Sequence, residues 1–283
     1  MNSAKQLRQL LDNPGIIAAP AVYDCIGSKL AQKAGFSLIF TSGFGMSASL
    51  LGLPDLGFLT ATEMLNQVRN IIKSVNIPVI CDIDTGYGNV LNVQRTVEDI
   101  VHFGAAGIIL EDQQWPKKCG HFEGKKVVET EEMVKKIKAA VTAKNNSDLV
   151  IIGRTDARAI YGLDEALYRG KKYQEAGADI IFIEAPQTRE ELEKISNYFP
   201  DVPLLANIIE GGKTPCLSLE ELEAMGFKIV AYALSGLLSS TNALLHCFQQ
   251  LQEKGSTDMT NNTFQFDDFK DLIEVEKYNK LTD

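Results

Sequence analysis

The chain has 283 residues, 45% of them hydrophobic and 23% charged, the balance of an ordinary globular protein large enough to bury a substantial core. A formal charge of -9, from 37 acidic and 28 basic residues, argues against nucleic acid or anionic membrane as a partner, since both need a dense basic face. A small anionic substrate stays open, because a few local cations outweigh the global sign.

The first residues, Met1-Asn-Ser-Ala-Lys-Gln-Leu-Arg8, read as a short helix without the apolar core of a signal peptide. No segment has the apolar length of a membrane span. Cysteines 25, 81, 119, 216 and 247 are scattered, with no zinc-type spacing, and His102, His121 and His246 lie far apart. Cys25, Cys81, Cys216 and Cys247 sit in or beside apolar runs and are expected to be packed thiols. A cytoplasmic, reducing location is expected.

In chain order, strands are predicted at Ile16–Pro20, Ser37–Thr41, Val79–Asp84, Gly107–Glu111, Leu149–Arg154, Ile180–Glu184, Leu204–Asn207 and Ile229–Ala233. Their nearly continuous apolar character suits parallel strands buried on both faces. Amphipathic helices are predicted between them, at Thr60–Val75, Asn92–Phe103, Glu131–Thr142, Leu163–Ala176 and Leu219–Met225. Gly35, Gly104, Gly177 and Gly226 each sit where a helix must close and turn into the next strand. Eight such strands point to a (β/α)8 barrel as a single domain over residues 1–283. Residues 241–283 are read as a C-terminal helical extension with a polar break around Gly255–Asn262.

A barrel works at the C-terminal ends of its strands, and this sequence places polar residues at nearly every one. In order they are Tyr23-Asp24, Ser42-Gly43, Asp82 with Asp84, Glu111, Arg154 with Asp156, Glu184, and Asn207 with Glu210. Any one of them could be a helix cap, but the whole set on one face is not explained that way. Asp82 and Asp84, two apart on a strand, are expected to point the same way, with Glu111 ending the adjacent strand. Three carboxylates at one spot call for a cation, and a hard oxygen site with few protein ligands suits Mg2+, or Mn2+ in its place. Gly43-Phe-Gly45-Met-Ser-Ala48 nominally matches a dinucleotide fingerprint, but its continuation through Gly52, Pro54 and Gly57 is not expected to form the receiving helix. Gly212-Lys213-Thr214 lacks the upstream glycine of a phosphate loop.

After Glu111-Asp112 a loop sets Cys119 among Lys117, Lys118 and His121, with Gly120 free to turn sharply. Nearby cations favour the thiolate, so this thiol is expected to give or take a proton near neutral pH.

Asp82-Ile-Asp84-Thr-Gly-Tyr-Gly88, Glu111-Asp112-Gln113, Lys117-Lys-Cys-Gly-His121, Gly153-Arg-Thr-Asp-Ala157 and Ile183-Glu-Ala-Pro186 together resemble the isocitrate lyase/phosphoenolpyruvate mutase superfamily. The resemblance runs from about Tyr23 to Ser235. It implies a barrel that binds Mg2+ and a 2-oxo or 2-hydroxy acid. It also implies helix exchange between subunits near the C-terminus, building homotetramers. Lys-Lys-Cys-Gly-His is the pattern of the carbon–carbon lyase branch. By that resemblance Asp82 and Asp84 would hold Mg2+, with Glu111 and Asp55 in its water shell. Ser42, Gly43 and Phe44 would cradle the carboxylate of pyruvate, helped by Arg154 and Asn207. Cys119 would protonate the departing carbanion, beside Gly120 and His121 in the loop. The base is open between Tyr23 and Glu184.

For the substrate, methylisocitrate-cleaving members carry an arginine after strand eight where this chain has Leu238, and tend to carry one where it has Phe122. No arginine follows Arg189. That loss disfavours a tricarboxylate. Trp115-Pro-Lys-Lys-Cys-Gly-His121 and Asn207-Ile-Ile-Glu-Gly-Gly-Lys-Thr-Pro215 are similar to the members that cleave substituted malates, including 2,3-dimethylmalate. Oxaloacetate-hydrolysing members tend to carry serine in place of Ala233. The expected activity is cleavage of a 2-alkylmalate to pyruvate and a carboxylate. Methylisocitrate cleavage comes next, then oxaloacetate hydrolysis or decarboxylation. Phosphonate mutation, disfavoured by Cys119, and non-catalytic binding come last.

Overall fold

A computed structural model describes residues 2–256 and 264–282. The chain divides into two compact units, Met1–Gly236 and Leu237–Asp283. In the first, eight parallel strands close into a barrel in sequential order. They are β1 (Ile17–Val22), β2 (Ile39–Thr41), β3 (Val79–Asp82), β4 (Gly107–Glu111), β5 (Val150–Thr155), β6 (Ile180–Ile183), β7 (Leu204–Ile208) and β8 (Ile229–Tyr232). All eight expected strands are present, most shifted by one or two residues at an end.

The helices are α1 (Ser3–Asp12), α2 (Cys25–Lys33), α3 (Gly43–Leu51), α4 (Ala61–Ser74), α5 (Val90–Phe103), α6 (Thr130–Ala143), α7 (Arg158–Tyr161), α8 (Leu163–Glu175), α9 (Arg189–Tyr198) and α10 (Leu219–Ala224). After β8 come α11 (Ser235–Lys254), α12 (Phe266–Leu272) and α13 (Val275–Asn279). The start of α4 illustrates the local logic. The Thr60 hydroxyl takes the N–H of Glu63, and the Glu63 carboxylate takes the N–H of Thr60, so the helix begins one residue later than its pattern suggests. Gly35, Gly104, Gly177 and Gly226 have φ of +93°, +86°, +106° and +97°, a left-handed turn that side chains resist.

Strand parity decides what reaches the site. Ala19 and Ala21, Leu38 and Phe40, Ile80, Ile109, Val150 and Ile152, Ile180 and Phe182, Leu205, and Ile229 and Ala231 pack together inside the barrel. Their neighbours Ile108, Leu110, Ile151, Ile181 and Val230 pack outward under the helices. Leu7 of α1 joins the inner cluster, and Arg8 reaches the carbonyls of Asp148 and Leu149, plugging the end where the strands start. Extended by two residues, the inward parity predicts Ser42, Asp82, Glu111, Arg154, Glu184, Asn207 and Ala233 at the opposite rim.

Two expectations are corrected. β3 ends at Asp82, and Asp84 lies beyond it with φ of +49°, so strand alternation does not align the two carboxylates. The stretch after Ser42 does form a helix, α3, which Ser42 caps by accepting the Gly45 N–H at 3.0 Å. Its glycines lie inside the first helical turn and not in a loop before it. The polar break expected around residues 255–262 lies, from 257 on, outside the described residues. In the second unit, α12 and α13 continue the helical character expected of the tail.

Candidate active site

At the rim, Ser42, Gly43, Phe44, Asp55, Asp82, Cys119, Gly120, His121, Arg154, Glu184 and Asn207 line one cavity with Lys117 and Lys118. Its floor and remaining wall are apolar, from Phe40, Ile109, Phe182, Leu205, Ile209, Ala231 and Ala233. The cavity is about 60 Å³, room for a few waters or a small acid in their place. Eleven of the fourteen residues singled out from sequence thus meet in one place. Asp84 and Glu111 lie just behind it, and the ring of Tyr23 packs where a side chain on Gly45 would stand. The N–H groups of Gly43 and Phe44, in the first turn of α3, have no acceptor within the helix and suit a carboxylate.

One corner is acidic. Asp55 and Asp84 flank the buried Lys117 ammonium, at 2.6 and 2.7 Å. Burial works against the Lys117 charge, but Asp84 and Asp55 overcome it and hold the group well above the usual lysine range. Burial pushes Asp84 up to about 6 in spite of Lys117. The Asp84 N–H donates to Asp82 Oδ1 at 3.0 Å, which brings the two carboxyl groups together without strand geometry. A side chain on Gly43 would come within 3.1 Å of Asp82 and 3.4 Å of Lys117, so even a methyl group there would crowd the two charged groups. Glu111 does not converge with them as expected. Its Oε2 faces Arg154 Nε at 3.3 Å, while its Oε1 is buried with no hydrogen-bond partner.

Among the described residues no three acidic, histidine or cysteine side chains form a closed metal-ligand set. Asp82, Asp84 and the orphaned Glu111 oxygen still fit a hard divalent ion. It would take few direct ligands and keep several waters, as Mg2+ does.

The other side of the cavity is organised by Arg154. Its guanidinium meets Asp156 at 2.9 Å, Glu111 at 3.3 Å and Glu184 at 3.3 Å, and lies over the Phe182 ring. Burial opposes the Glu184 charge, but Arg154 and His121 prevail and bring its carboxyl down to about 2. His121 Nε2 stands 3.1 Å from Glu184, and Asn207 Nδ2 lies 3.4 Å from the same carboxylate.

Cys119 differs from its expected state. Lys117 is turned to Asp55 and Asp84, Lys118 to the Glu123 carbonyl, and His121 to Glu184. Burial pushes the thiol up to about 11, against a backbone hydrogen bond at His121 that favours the thiolate. It is therefore a protonated thiol at neutral pH, able to give a proton. Of the cysteines expected to be packed, Cys81 is buried, Cys25 and Cys247 are half-buried, and Cys216 is exposed.

The motif residue Asp112 was given no role by the sequence, and parity turns it outward. It accepts from Thr155 Oγ1 at 2.6 Å, the Asp156 N–H at 2.9 Å, Tyr173 at 2.7 Å and Arg169 at 3.3 Å. It thereby fixes the end of β5 from which Arg154 projects. Lys125 is also buried beside the exposed Lys126, and nothing local in Lys125-Lys126 distinguishes the two.

A family model described as phosphoenolpyruvate phosphomutase matches residues 7–252. The 2,3-dimethylmalate lyase of Eubacterium barkeri is 44% identical over 282 residues, covering 99% of this chain and 97% of that protein. The 2-methylisocitrate lyase of Halalkalibacterium halodurans is 42% identical over 279 residues, covering 95% and 92%. Among solved structures, 2,3-dimethylmalate lyase in its trigonal crystal form matches with a TM-score of 0.94 at 34% identity, over 99% of this chain and 94% of that one. Phosphonopyruvate hydrolase in complex with oxalate and Mg++ matches with a TM-score of 0.89 at 32% identity, over 99% and 98%.

Proposed function

Since the chain belongs to the phosphoenolpyruvate mutase/isocitrate lyase superfamily, we propose that it is a Mg2+-dependent carbon–carbon lyase acting on a 2-alkylmalate such as 2,3-dimethylmalate. The products would be pyruvate and a simple carboxylate, here propionate. The observation that carries this reading is a protonated thiol, Cys119, on the wall of a cavity that also holds a helix N-terminus and an acidic corner.

The cleavage breaks C2–C3, the hydroxyl proton leaves as the ketone forms, and C3 takes a proton. Bound at Asp82 and Asp84, with Glu111 and Asp55 next in line, Mg2+ would stabilise charge on the forming oxo acid. Ser42, Gly43 and Phe44 would receive the pyruvate carboxylate at the start of α3, with Arg154 and Asn207 beside them. Cys119 would give its proton to C3, help typically worth ~10²–10⁴-fold. Held near 2 by Arg154 and His121, Glu184 is a weak base. Of the two candidates Tyr23 is the proposed acceptor of the hydroxyl proton; its ring packs against Gly45 at the start of α3, beside the cavity lining, and it would take the proton as the phenolate.

The cavity also supports a dicarboxylate over a tricarboxylate. Arg154 is the only arginine in its lining among the described residues, and three carboxylates already engage it. Phe44 lines the cavity with an apolar ring suited to an alkyl group and meets the exposed Phe122 edge to face at 6.1 Å. Methylisocitrate cleavage is the second reading, favoured by the 42% identity to 2-methylisocitrate lyase. Oxaloacetate hydrolysis ranks below it because Ala233 supplies no hydroxyl to the wall. The test is product analysis over 2,3-dimethylmalate, citramalate, 2-methylisocitrate and oxaloacetate with Mg2+. Pyruvate formed fastest from 2,3-dimethylmalate supports the proposal, while preference for 2-methylisocitrate, or oxalate as the main product, refutes it.

The protein is also proposed to work as a homotetramer with exchanged C-terminal helices. In α11 no residue is buried, and Leu244, Leu245 and Phe248 are each more than half exposed. Light scattering that returns a monomer would refute this. No described helix is long and apolar enough to cross a membrane.

A further inference from the structure

Lys125 is a buried lysine in an exposed stretch. Phe122, Glu123, Gly124 and Lys126 around it face solvent, yet its side chain is 1% accessible. Its ammonium donates to the carbonyl of Gly120 and, at 2.8 Å, to that of Phe122, and it faces Asp156 at 4.0 Å. Asp156 is itself immobilised, by Arg154 and by its own N–H on Asp112. Gly120 packs so tightly that a side chain there would come within 2.5 Å of Glu184 and 2.6 Å of Arg154. A lysine is costly to bury, and packing alone would be served as well by methionine.

We propose that Lys125 is a positioning residue that holds the Cys119 loop closed over the cavity, by tying the Gly120 and Phe122 carbonyls to the end of β5. Without its ammonium the two carbonyls turn to solvent and the tip carrying Cys119 lifts from Glu184 and Arg154. The kinetic part of this inference rests on the proposed role of Cys119 as proton donor, whereas the structural part does not.

The test compares wild type, Lys125→Met and Lys125→Arg. Modification of Cys119 by iodoacetamide at pH 8 is followed by peptide mass spectrometry, alongside pyruvate release and thermal midpoint. Lys125→Met should react at Cys119 about ten-fold faster or more, the effect of losing charged hydrogen bonds that hold a loop. Its kcat should fall by about ten-fold, with KM for 2,3-dimethylmalate within about three-fold. Lys125→Arg, which keeps a charged donor, should restore most of both. A folded Lys125→Met protein whose Cys119 reacts at the wild-type rate overturns the proposal. Should that variant not fold, a Lys125→Gln protein with wild-type Cys119 reactivity and kcat overturns it equally. The alkylation arm needs no turnover, so a protein inactive on every diacid would sink the proposed function and leave this test standing.

Discussion

His121 Nε2 stands 3.1 Å from Glu184 Oε1. The other ring nitrogen, Nδ1, accepts the backbone N–H of Lys213 at 2.9 Å. That bond uses Nδ1 as an acceptor, leaves Nε2 on the side of the carboxylate, and joins the loop after β7 to the cysteine loop. A side chain on Gly212 would come within 2.7 Å of the same ring, so the approach depends on glycine.

Replacing Glu184 by Gln removes the charge facing both His121 and Arg154. Steady-state kinetics should show kcat/KM falling by about 10²-fold or more. The pH dependence of stability has a definite sign. The folded carboxyl lies near 2, below the ordinary 4.5, so its contribution is complete above 4.5 and is lost as pH falls towards 2. Urea titrations of wild type and Glu184→Gln should therefore differ most above pH 5 and converge towards pH 2. A gap that widens on acidification would contradict the assignment.

With its thiol raised to about 11, Cys119 should alkylate slowly at pH 7 and faster as pH climbs towards 11. The exposed Cys216 provides an internal reference in the same digest. Cys119→Ser should lose cleavage by about 10²-fold or more while pyruvate binding persists. Pyruvate binding by calorimetry and turnover by product assay separate the two effects.

Lys117 is the cation that makes the acidic corner tolerable. Lys117→Met leaves Asp55 and Asp84 buried without it, and breaking such a pair costs about 3–5 kcal/mol. Chemical denaturation should show that loss in EDTA. Mg2+ should restore more stability to the variant than it adds to wild type, because the ion supplies charge where the ammonium is missing. Equal Mg2+ effects on both proteins would place the ion elsewhere.

Asp112 is a scaffold group with four buried donors on it. Asp112→Ala strands all four and should cost about 3–5 kcal/mol in urea denaturation. Kinetics on the folded fraction should also fall, since Arg154 loses its anchorage through Asp156.

Much of this was readable from the residues. The apolar runs and the glycines at 35, 104, 177 and 226 mark the barrel, because only a buried parallel strand tolerates such runs and only glycine takes the closing turn easily. The rim followed from those strands, and counting by twos from Ile109 would also have turned Asp112 outward. Other features depend on tertiary contacts. Apolar Ile83 hides the end of β3, and the positive φ of Asp84 is invisible in its residue type. Gly43 and Gly45 disguise α3, whose N-terminus depends on the Ser42 cap. The cations beside Cys119 in sequence face carboxylates or carbonyls in space, which reverses its expected ionisation. Nothing in Lys125-Lys126 distinguishes the buried lysine from the exposed one.

The most direct test is pyruvate release from 2,3-dimethylmalate, measured for wild type with Mg2+, for wild type with EDTA, and for Cys119→Ser with Mg2+. Mg2+-dependent release of pyruvate and propionate in equal amounts, nearly absent from the other two samples, is the predicted result. No pyruvate from the wild type, or release undiminished by EDTA or by the serine, would contradict the account.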